Sequence, residues 1–200
     1  MVTLIDYGAG NVTSVVRALR RLSAEVHVTN RPEEISAATA LILPGVGHCA
    51  ALLGSLDAHS LRQPLSNALA RGTPFLGICL GLQALYQRSE EAPEISGLGV
   101  LQGEVNLLPR KVKLPHMGWN QLRRVRACHL LDGIPPEAYF YFAHSYGAPA
   151  AGPETVASCE HGCEFTAVLE CKRIFGVQFH PEKSGAPGAK LIDNFLRIAA

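Results

Sequence analysis

Apolar strand patterns alternate with helix patterns along the first half of the chain, and few folds accommodate that order. We expect strands over residues 2–6, 25–29, 40–43 and 75–78, helices over residues 12–22, 61–70 and 80–86, and a short helix opening at residue 32. Strands that alternate with helices form a mostly parallel sheet with helices on both faces. The chain is therefore predicted to be an α/β protein.

The second half has a different pattern, in which short strands are separated by turns. The predicted strands cover residues 97–100, 103–107, 121–125, 138–143, 156–159, 166–169 and 174–179, and an amphipathic helix over residues 189–199 closes the chain. Consecutive strands of this kind indicate a mixed or antiparallel extension of the sheet. Because 200 residues without a long linker suit one sizeable core, we expect a single domain over residues 1–200.

Cys79 lies where an apolar strand changes abruptly to a helix pattern. Gly77 and Gly81 flank it at two residues on either side, which is the spacing of a nucleophile elbow. Such a turn would place the sulfur at the carboxyl end of the sheet and at a helix N-terminus, where the helix dipole favours a thiolate. On this segment alone, Cys79 is either a nucleophile or a buried structural cysteine.

A base and its orienting group follow the last predicted strand, as His180-Pro181-Glu182. Residues two apart in an extended chain point to the same side, so Glu182 can reach one ring nitrogen of His180 and leave the other free to face a thiol. The alternative is a histidine that ends a strand beside a surface glutamate. Ligand sites of open α/β sheets lie beyond the carboxyl ends of the strands, which favours a Cys79–His180–Glu182 triad.

The segment Pro44-Gly45-Val46-Gly47 follows the predicted strand at residues 40–43. Its glycines allow the backbone to approach a ligand closely. The N–H groups of Val46 and Leu80 would then form an oxyanion hole for a tetrahedral intermediate. A simple turn at the end of a strand is the other interpretation.

Composition argues against several classes of function. The chain carries 18 Lys and Arg against 17 Asp and Glu, with no basic block, so nucleic acid is not an expected partner.

No signal peptide is expected, because residues 1–6 lack its basic start. No membrane span is expected either, because the longest apolar stretch, 37–53, is interrupted by Pro44 and three further residues. The six cysteines are expected to be free thiols in the cytoplasm.

Neither a dinucleotide nor a metal ion is expected to bind. Gly8-Ala9-Gly10 lacks the third glycine of the dinucleotide fingerprint, and Asn30 and Arg31 stand where a ribose-binding acid would be needed. Cys159, His161 and Cys163, with Cys171 as a further candidate ligand, match no common zinc spacing. We interpret the segment 159–163 as a turn between two strands and predict no metal and no cofactor.

Taken together, these segments resemble the class I (triad) glutamine amidotransferases. Gly-Ile-Cys-Leu-Gly-Leu-Gln at residues 77–83 and His-Pro-Glu at residues 180–182 match motifs of the whole family. Within it, the chain is similar to the glutaminase subunits of imidazole glycerol phosphate synthases over essentially its full length. The segments that carry the narrower resemblance are Asp6-Tyr7-Gly8-Ala9-Gly10-Asn11, Pro44-Gly45-Val46-Gly47, His116-Met117-Gly118-Trp119-Asn120 and His144-Ser145-Tyr146.

The resemblance implies a three-layer, flavodoxin-like fold and the hydrolysis of glutamine to glutamate and ammonia. Cys79 would attack the side-chain amide to form a γ-glutamyl thioester, His180 would relay the proton and activate water, and Glu182 would orient His180. By matching positions, the glutamine would be held by Gly47, Gln83, Glu91, Ser145 and Tyr146. Glu91 depends on one of two possible alignments of Ser89-Glu90-Glu91-Ala92.

The resemblance also implies a partner. Ammonia would pass to a (β/α)8 barrel cyclase subunit in a heterodimer, where it reacts with a phosphoribulosyl aminoimidazole nucleotide to give imidazole glycerol phosphate and an aminoimidazole carboxamide ribotide. Residues expected near the partner are Asn11, His116, Met117, Trp119, Asn120 and Tyr141. Trp119, the only tryptophan, is expected in a loop flanked by glycine, where a large aromatic side chain can anchor an interface.

Three alternatives remain at this point. One is the glutaminase of another class I amidotransferase, such as an anthranilate or pyridoxal phosphate synthase, against which the segments at 116–120 and 144–146 argue. Another is a stand-alone cysteine peptidase or γ-glutamyl hydrolase that needs no partner. The third is a docking module without chemistry, against which the intact Cys79, His180 and Glu182 argue.

Overall fold

The computed structural model describes residues 1–8 and 11–200, so the predicted turn at Gly8-Ala9-Gly10 lies partly outside the described residues. The strands are β1 (Val2–Ile5), β2 (Val26–Thr29), β3 (Leu41–Gly45), β4 (Phe75–Cys79), β5 (Tyr86–Ser89), β6 (Leu101–Leu107), β7 (His116–Gln121), β8 (Arg123–Arg124), β9 (Tyr139–His144), β10 (Tyr146–Gly147), β11 (Thr155–Glu160), β12 (Glu164–Cys171) and β13 (Ile174–Val177). The helices are α1 (Val12–Arg21), α2 (Pro32–Ala37), α3 (Cys49–Ala58), α4 (Arg62–Ala70), α5 (Leu80–Gln83) and α6 (Gly185–Ala199), with short 3-10 helices at His129–Leu131 and Pro181–Lys183.

The central sheet has eight strands in the order β2-β1-β3-β4-β13-β12-β11-β8. From β2 to β13 the neighbouring strands are parallel, and from β13 to β8 they are antiparallel. Two smaller sheets, β10-β6-β5 and β7-β9, complete the strand pairing of the described residues. This arrangement confirms the predicted α/β fold with a mostly parallel sheet and a mixed extension.

Hydrophobic residues pack in two layers, one on each face of the sheet. On one face, Val15 and Leu19 of α1 pack with Phe195 of α6 and the even-numbered side chains of β4. On the other face, α2, α3 and α4 contribute apolar side chains that pack with Phe75. Alternate residues of a strand face opposite sides, so a single apolar strand supplies both layers. The helices thus form the two outer layers of a three-layer fold.

Three neighbouring parallel strands end at the same edge of the sheet. Gly45 at the end of β3 pairs with Cys79 at the end of β4, and Val177 at the end of β13 pairs with Ile78. His180 follows β13 by three residues. The sheet therefore brings the loop after β3, the cysteine after β4 and the histidine after β13 to one place.

The elements differ from the sequence-based expectation in several places. Residues 97–100 form no strand, because Gly99 has a φ of +67° that a strand excludes. The helix expected over 80–86 ends at Gln83, since Tyr86 begins a strand that pairs with β6. Helix α3 was not predicted, because apolar residues such as Ala51 and Ala58 also lie on its exposed side, so the sequence shows little contrast between its two faces. Helix α6 begins at Gly185, four residues before the predicted start.

Residues 1–8 and 11–200 contain no helix that is both long enough and apolar enough to cross a membrane.

Candidate active site

The chain turns sharply at Cys79, between β4 and α5. Cys79 has φ 54° and ψ −107°, a combination that non-glycine residues rarely adopt and that costs about 1–3 kcal/mol of backbone strain. Glycines on either side make the turn possible, because a Cβ at Gly77 would collide with the backbone of Gly81, and one at Gly81 would collide with the carbonyl of Leu43. Cys79 is held in the geometry expected of a nucleophile elbow.

His180 and Glu182 form a buried ion pair. Nδ1 of His180 lies 3.0 Å from Oε1 of Glu182, and their side chains are 3% and 0% exposed. Burial by itself lowers the pKa of His180, but the hydrogen bonds and charges of Cys79 and Glu182 outweigh burial and raise this pKa to about 10. The imidazole is therefore protonated at neutral pH, which is the state that pairs with a thiolate.

Glu182 has a second hydrogen-bond partner. The side-chain amide of Asn11 donates to the same Oε1 atom at 3.0 Å. Asn11 was expected to lie near a partner surface, and the structure places its side chain against the carboxylate that holds His180. Asn11 thus fixes the orientation of Glu182 from the loop before α1.

The loop after β3 places its backbone at the wall of the same site. The N–H of Val46 donates a hydrogen bond to the hydroxyl of Tyr7 at 3.3 Å, and burial is the main cause that raises the pKa of Tyr7 to about 12. Gly47 has a φ of +91°, in the region that favours glycine. In this structure the Val46 N–H is engaged by a neutral phenol.

A cavity of about 250 Å³, large enough for an amino acid, lies at this edge of the sheet. Most of the site residues expected from the sequence line it. The lining residues are Val46, Gly47, Cys79, Leu80, Gln83, Glu91, Ala143, His144, Ser145, Tyr146, His180 and Lys183. Glu182 is absent from the wall and is hydrogen-bonded to the ring of His180, which does line it.

Glu90 and Glu91, the acidic pair that the sequence allows to be aligned in two ways, lie in different surroundings. Glu91 lines the cavity, and its Oε2 accepts a hydrogen bond from the N–H of Cys49 at 2.8 Å. Glu90 instead accepts from the N–H of Leu107 at 2.7 Å, outside the cavity. A carboxylate at the first turn of α3 is favoured by the helix dipole, which holds Glu91 beside the loop after β3.

Sequence reasoning missed Gln178, Lys183, Ala143 and His144. Gln178 is fully buried and donates to the Cys79 sulfur at 3.5 Å. Its position two residues before His180 was the available signal, because an extended chain points both side chains to the same side. Lys183 directly follows Glu182, and its ammonium lies 5.7 Å from the ring centroid of Tyr141.

The segment expected to form a loop around Trp119 is strand β7, paired in antiparallel register with β9. The loop prediction was wrong because Gly118 is accommodated within a strand, at a φ of +139°. Met117 and Trp119 point outward and are 66% and 56% exposed, and Trp119 meets the ring of Tyr141 edge-on at 5.9 Å. We call Met117, Trp119 and Tyr141 the aromatic face.

His116 lies on the opposite side of β7 from the aromatic face. It is buried at 5% exposure and stacks on Phe142 and His161, so it does not itself form the surface expected from the sequence. Its Nδ1 lies 3.1 Å from Nε2 of His144, and the amide of Asn120 lies 3.3 Å from its Nε2. His116 therefore supports the strand from within.

The remaining cysteines are free, and most are buried. Burial raises the pKa of Cys49, raises that of Cys128 to about 11 and raises that of Cys159 to about 12. Segment 159–163 connects β11 and β12, as the turn interpretation expects. Over the described residues, no cluster of His, Cys, Asp and Glu has the arrangement of a metal site.

Comparison with known proteins gives matches to one family over nearly the whole chain. A family model described as glutamine amidotransferase class-I matches residues 3–199. Imidazole glycerol phosphate synthase subunit HisH of Methanothermobacter thermautotrophicus is 45% identical, over 99% of this chain and 98% of that protein. The subunit of the same name from Moorella thermoacetica is 47% identical, over 97% and 93%.

Solved structures agree on the fold. A crystal structure of a glutamine amidotransferase superposes with a TM-score of 0.79 at 20% identity, covering 100% of this chain and 99% of that one. PurLQS from Thermotoga maritima gives a TM-score of 0.75 at 21% identity, over 98% and 97%.

Proposed function

The chain belongs to the class I glutamine amidotransferases, and we propose that it is the glutaminase subunit of an imidazole glycerol phosphate synthase. Within that proposal, Cys79, His180 and Glu182 form the catalytic triad. The observation that carries it is a cysteine on a strained elbow that shares a small cavity with a histidine held by a buried carboxylate. This is the arrangement that nucleophilic catalysis on an amide requires.

In the first step, the Cys79 sulfur attacks the side-chain carbonyl carbon of glutamine. The electron pair of the C=O bond moves to oxygen, and a tetrahedral intermediate forms. His180, which is protonated at the start, then gives its proton to the nitrogen as the C–N bond breaks. Ammonia leaves, and a γ-glutamyl thioester remains on Cys79.

In the second step, His180 takes a proton from water as the water oxygen attacks the thioester. The C–S bond breaks, the new γ-carboxyl group gives its remaining proton to solvent, glutamate is released, and the thiolate–imidazolium pair is restored. Glu182 keeps the Nδ1 proton of His180 in place through both steps, so that Nε2 always faces the reaction. Asn11 holds Glu182 in that position.

The intermediate carries negative charge on oxygen, for which we propose the N–H groups of Val46 and Leu80 as donors. The hydrogen bond from Val46 to the Tyr7 hydroxyl must first break, and we propose that the Gly45–Val46 peptide reorients when it does. We assign the glutamine itself to the rest of the cavity wall. The residues proposed to hold it are Gly47, Gln83, Glu91, Ser145 and Tyr146.

The ammonia is proposed to pass to a (β/α)8 barrel cyclase in a cytoplasmic heterodimer, where it yields imidazole glycerol phosphate and the carboxamide ribotide. The aromatic face is the proposed contact, because two of its side chains are largely exposed and aromatic and methionine residues are enriched at protein interfaces. Tyr141 connects this face to the site, since its backbone carbonyl accepts from the N–H of His180 at 2.9 Å.

Reconstitution tests this proposal. We would mix the full chain with a barrel cyclase of the imidazole glycerol phosphate synthase type and supply glutamine and the nucleotide substrate. The expected result is glutamine-dependent imidazole glycerol phosphate, with glutamate formed in equal amount and faster than by the chain alone. Glutamate formation at the same high rate with and without cyclase and nucleotide would contradict it and would favour a stand-alone hydrolase.

A further inference from the structure

Gln178 occupies a position between the nucleophile and a wall residue of the cavity. It is 0% exposed, its Nε2 lies 3.5 Å from the Cys79 sulfur, and its Oε1 lies 2.9 Å from Nε2 of Gln83. A buried amide with both ends engaged is fixed in position, since breaking either hydrogen bond leaves an unsatisfied polar group.

The direction of these hydrogen bonds follows from a backbone atom that can only accept. Nε2 of Gln83 lies 2.8 Å from the carbonyl oxygen of Tyr146, so this end of Gln83 must be its donor. The same Nε2 faces Gln178, so the atom of Gln178 that meets it must be the acceptor Oε1. The other end of Gln178, which meets the sulfur, is therefore its N–H group.

We propose that Gln178 is a positioning residue for the nucleophile, whose side-chain N–H donates a hydrogen bond to the Cys79 sulfur. This inference rests on the proposed function, since it assigns Gln178 a role toward the same cysteine. The sulfur then has a neutral donor in addition to the imidazolium of His180. Hydrogen bonding to the charged form of a group favours that form, so Gln178 stabilises negative charge on the sulfur.

The same amide also determines where the sulfur lies. Gln178 follows β13, and its own N–H donates to the carbonyl of Ala167 at 2.9 Å, so its backbone is anchored in the sheet. Its side chain joins Cys79 to Gln83 and, through Gln83, to the Tyr146 backbone on the cavity wall. A neutral amide neither gives nor takes up a proton in the reaction. Gln178 therefore affects the reaction only through its hydrogen bond to Cys79.

Two substitutions separate the sulfur contact from simple packing. Gln178→Met keeps a similar shape and removes both the N–H donor to the sulfur and the Oε1 acceptor for Gln83. Gln178→Glu keeps an acceptor for Gln83 and places a carboxylate against the sulfur. Gln63→Met, at an exposed glutamine of α4, is the matched control. Thermal unfolding of each variant identifies those that are folded.

The measurement is the rate at which iodoacetamide alkylates Cys79 in the full chain, followed by peptide mass analysis from pH 5 to pH 10. Exposed Cys163 serves as the internal reference. For Gln178→Met we expect a half-maximal pH for Cys79 that is higher by about one unit, as the loss of one hydrogen bond to a charged group predicts, and labelling about tenfold slower at any pH well below the wild-type half-maximal pH. Gln178→Glu should raise the half-maximal pH of Cys79 further. Gln63→Met should leave that pH unchanged, and the alkylation profile of Cys163 should be the same in all variants.

An unchanged half-maximal pH for Cys79 in either folded variant overturns the inference. This result is distinguishable from a failure of the proposed function. If the wild-type chain forms no glutamate with a cyclase, the proposed function fails, yet the alkylation profiles still decide whether Gln178 acts on the sulfur. If the wild-type chain forms glutamate with the cyclase, but the alkylation profiles of Cys79 are the same in the wild type and the Gln178 variants, only the proposed role of Gln178 fails.

Discussion

The backbone N–H of Val46 donates a hydrogen bond to the hydroxyl of Tyr7 at 3.3 Å. Tyr7 is 1% exposed, and its phenol stays neutral because burial raises its pKa to about 12. A proposed donor of the oxyanion hole is thus engaged within the protein. Completing the hole requires that this hydrogen bond break.

Replacing Tyr7 by Phe should therefore raise the glutaminase rate of the chain without its partner. A hydrogen bond of this kind contributes about 0.5–1.5 kcal/mol, so the expected increase is about 2- to 10-fold. Glutamate formation by the isolated chain measures it. Tyr139→Phe, at a tyrosine that is 52% exposed, is the control and should have no effect. A folded Tyr7→Phe variant with an unchanged or lower rate would show that Tyr7 does not restrain Val46.

A glutamine-mimicking electrophile should label Cys79 before any other cysteine. Only Cys79 lies in the cavity beside a protonated histidine, while Cys49, Cys128 and Cys159 are buried with raised pKa values. Peptide mapping at partial modification measures the order. Modification of Cys49 or Cys128 before Cys79 would show that Cys79 is not the nucleophile.

Trp119→Ala should weaken binding to the cyclase by about 30-fold or more, because truncating an aromatic anchor at an interface centre typically costs at least 2 kcal/mol. Its side chain is 56% exposed, so the stability of the isolated chain should change little. Titration calorimetry gives the affinity. Val28→Ala, at an exposed valine on edge strand β2, is the matched control. Equal affinities of the two variants for the cyclase would show that Trp119 is not part of the interface.

His144 should make the fold sensitive to acid. Burial lowers the pKa of His144 from 6.5 to about 3, and its two ring nitrogens are already committed to the carbonyl of Tyr146 and to His116. The unfolded chain takes up the proton first, so stability present above pH 6.5 is lost as the pH falls toward 3.

Between pH 7 and pH 5 this loss amounts to about 2 kcal/mol in the free energy of unfolding. His144→Gln should be less stable at pH 7 but should lose about 2 kcal/mol less on acidification to pH 5. Urea unfolding at the two pH values measures both quantities. His59→Gln, at an exposed histidine, should keep the wild-type pH dependence. If His144→Gln and the wild type lose the same free energy of unfolding between pH 7 and pH 5, His144 is not the cause of the acid sensitivity.

Much of this architecture follows from local sequence. The alternation of apolar strands and helices predicts the parallel half of the sheet, and the spacing of Gly77, Cys79 and Gly81 predicts the sharp turn. Both depend on residues close together in the chain. Because parallel strands share a carboxyl edge, the meeting of Cys79 with His180 follows as well.

Features that depend on distant contacts were beyond local reasoning. Tyr86 begins a strand because β6 pairs with it, which no helix propensity in residues 80–86 reveals. The hydrogen bonds from Asn11 to Glu182 and from Val46 to Tyr7 join residues 171 and 39 positions apart. His116 was expected at a surface, and only the pairing of β7 with β9 determines that it points inward.

The central claim is that Cys79 supplies ammonia for a reaction on another protein, and one substitution tests it directly. Cys79→Ala, combined with the cyclase and its nucleotide substrate, should form no product with glutamine. The same complex supplied with ammonium chloride should form product at close to the wild-type ammonia-dependent rate, because the cyclase itself is unaltered. Glutamine-dependent product from Cys79→Ala at the wild-type rate would contradict the claim.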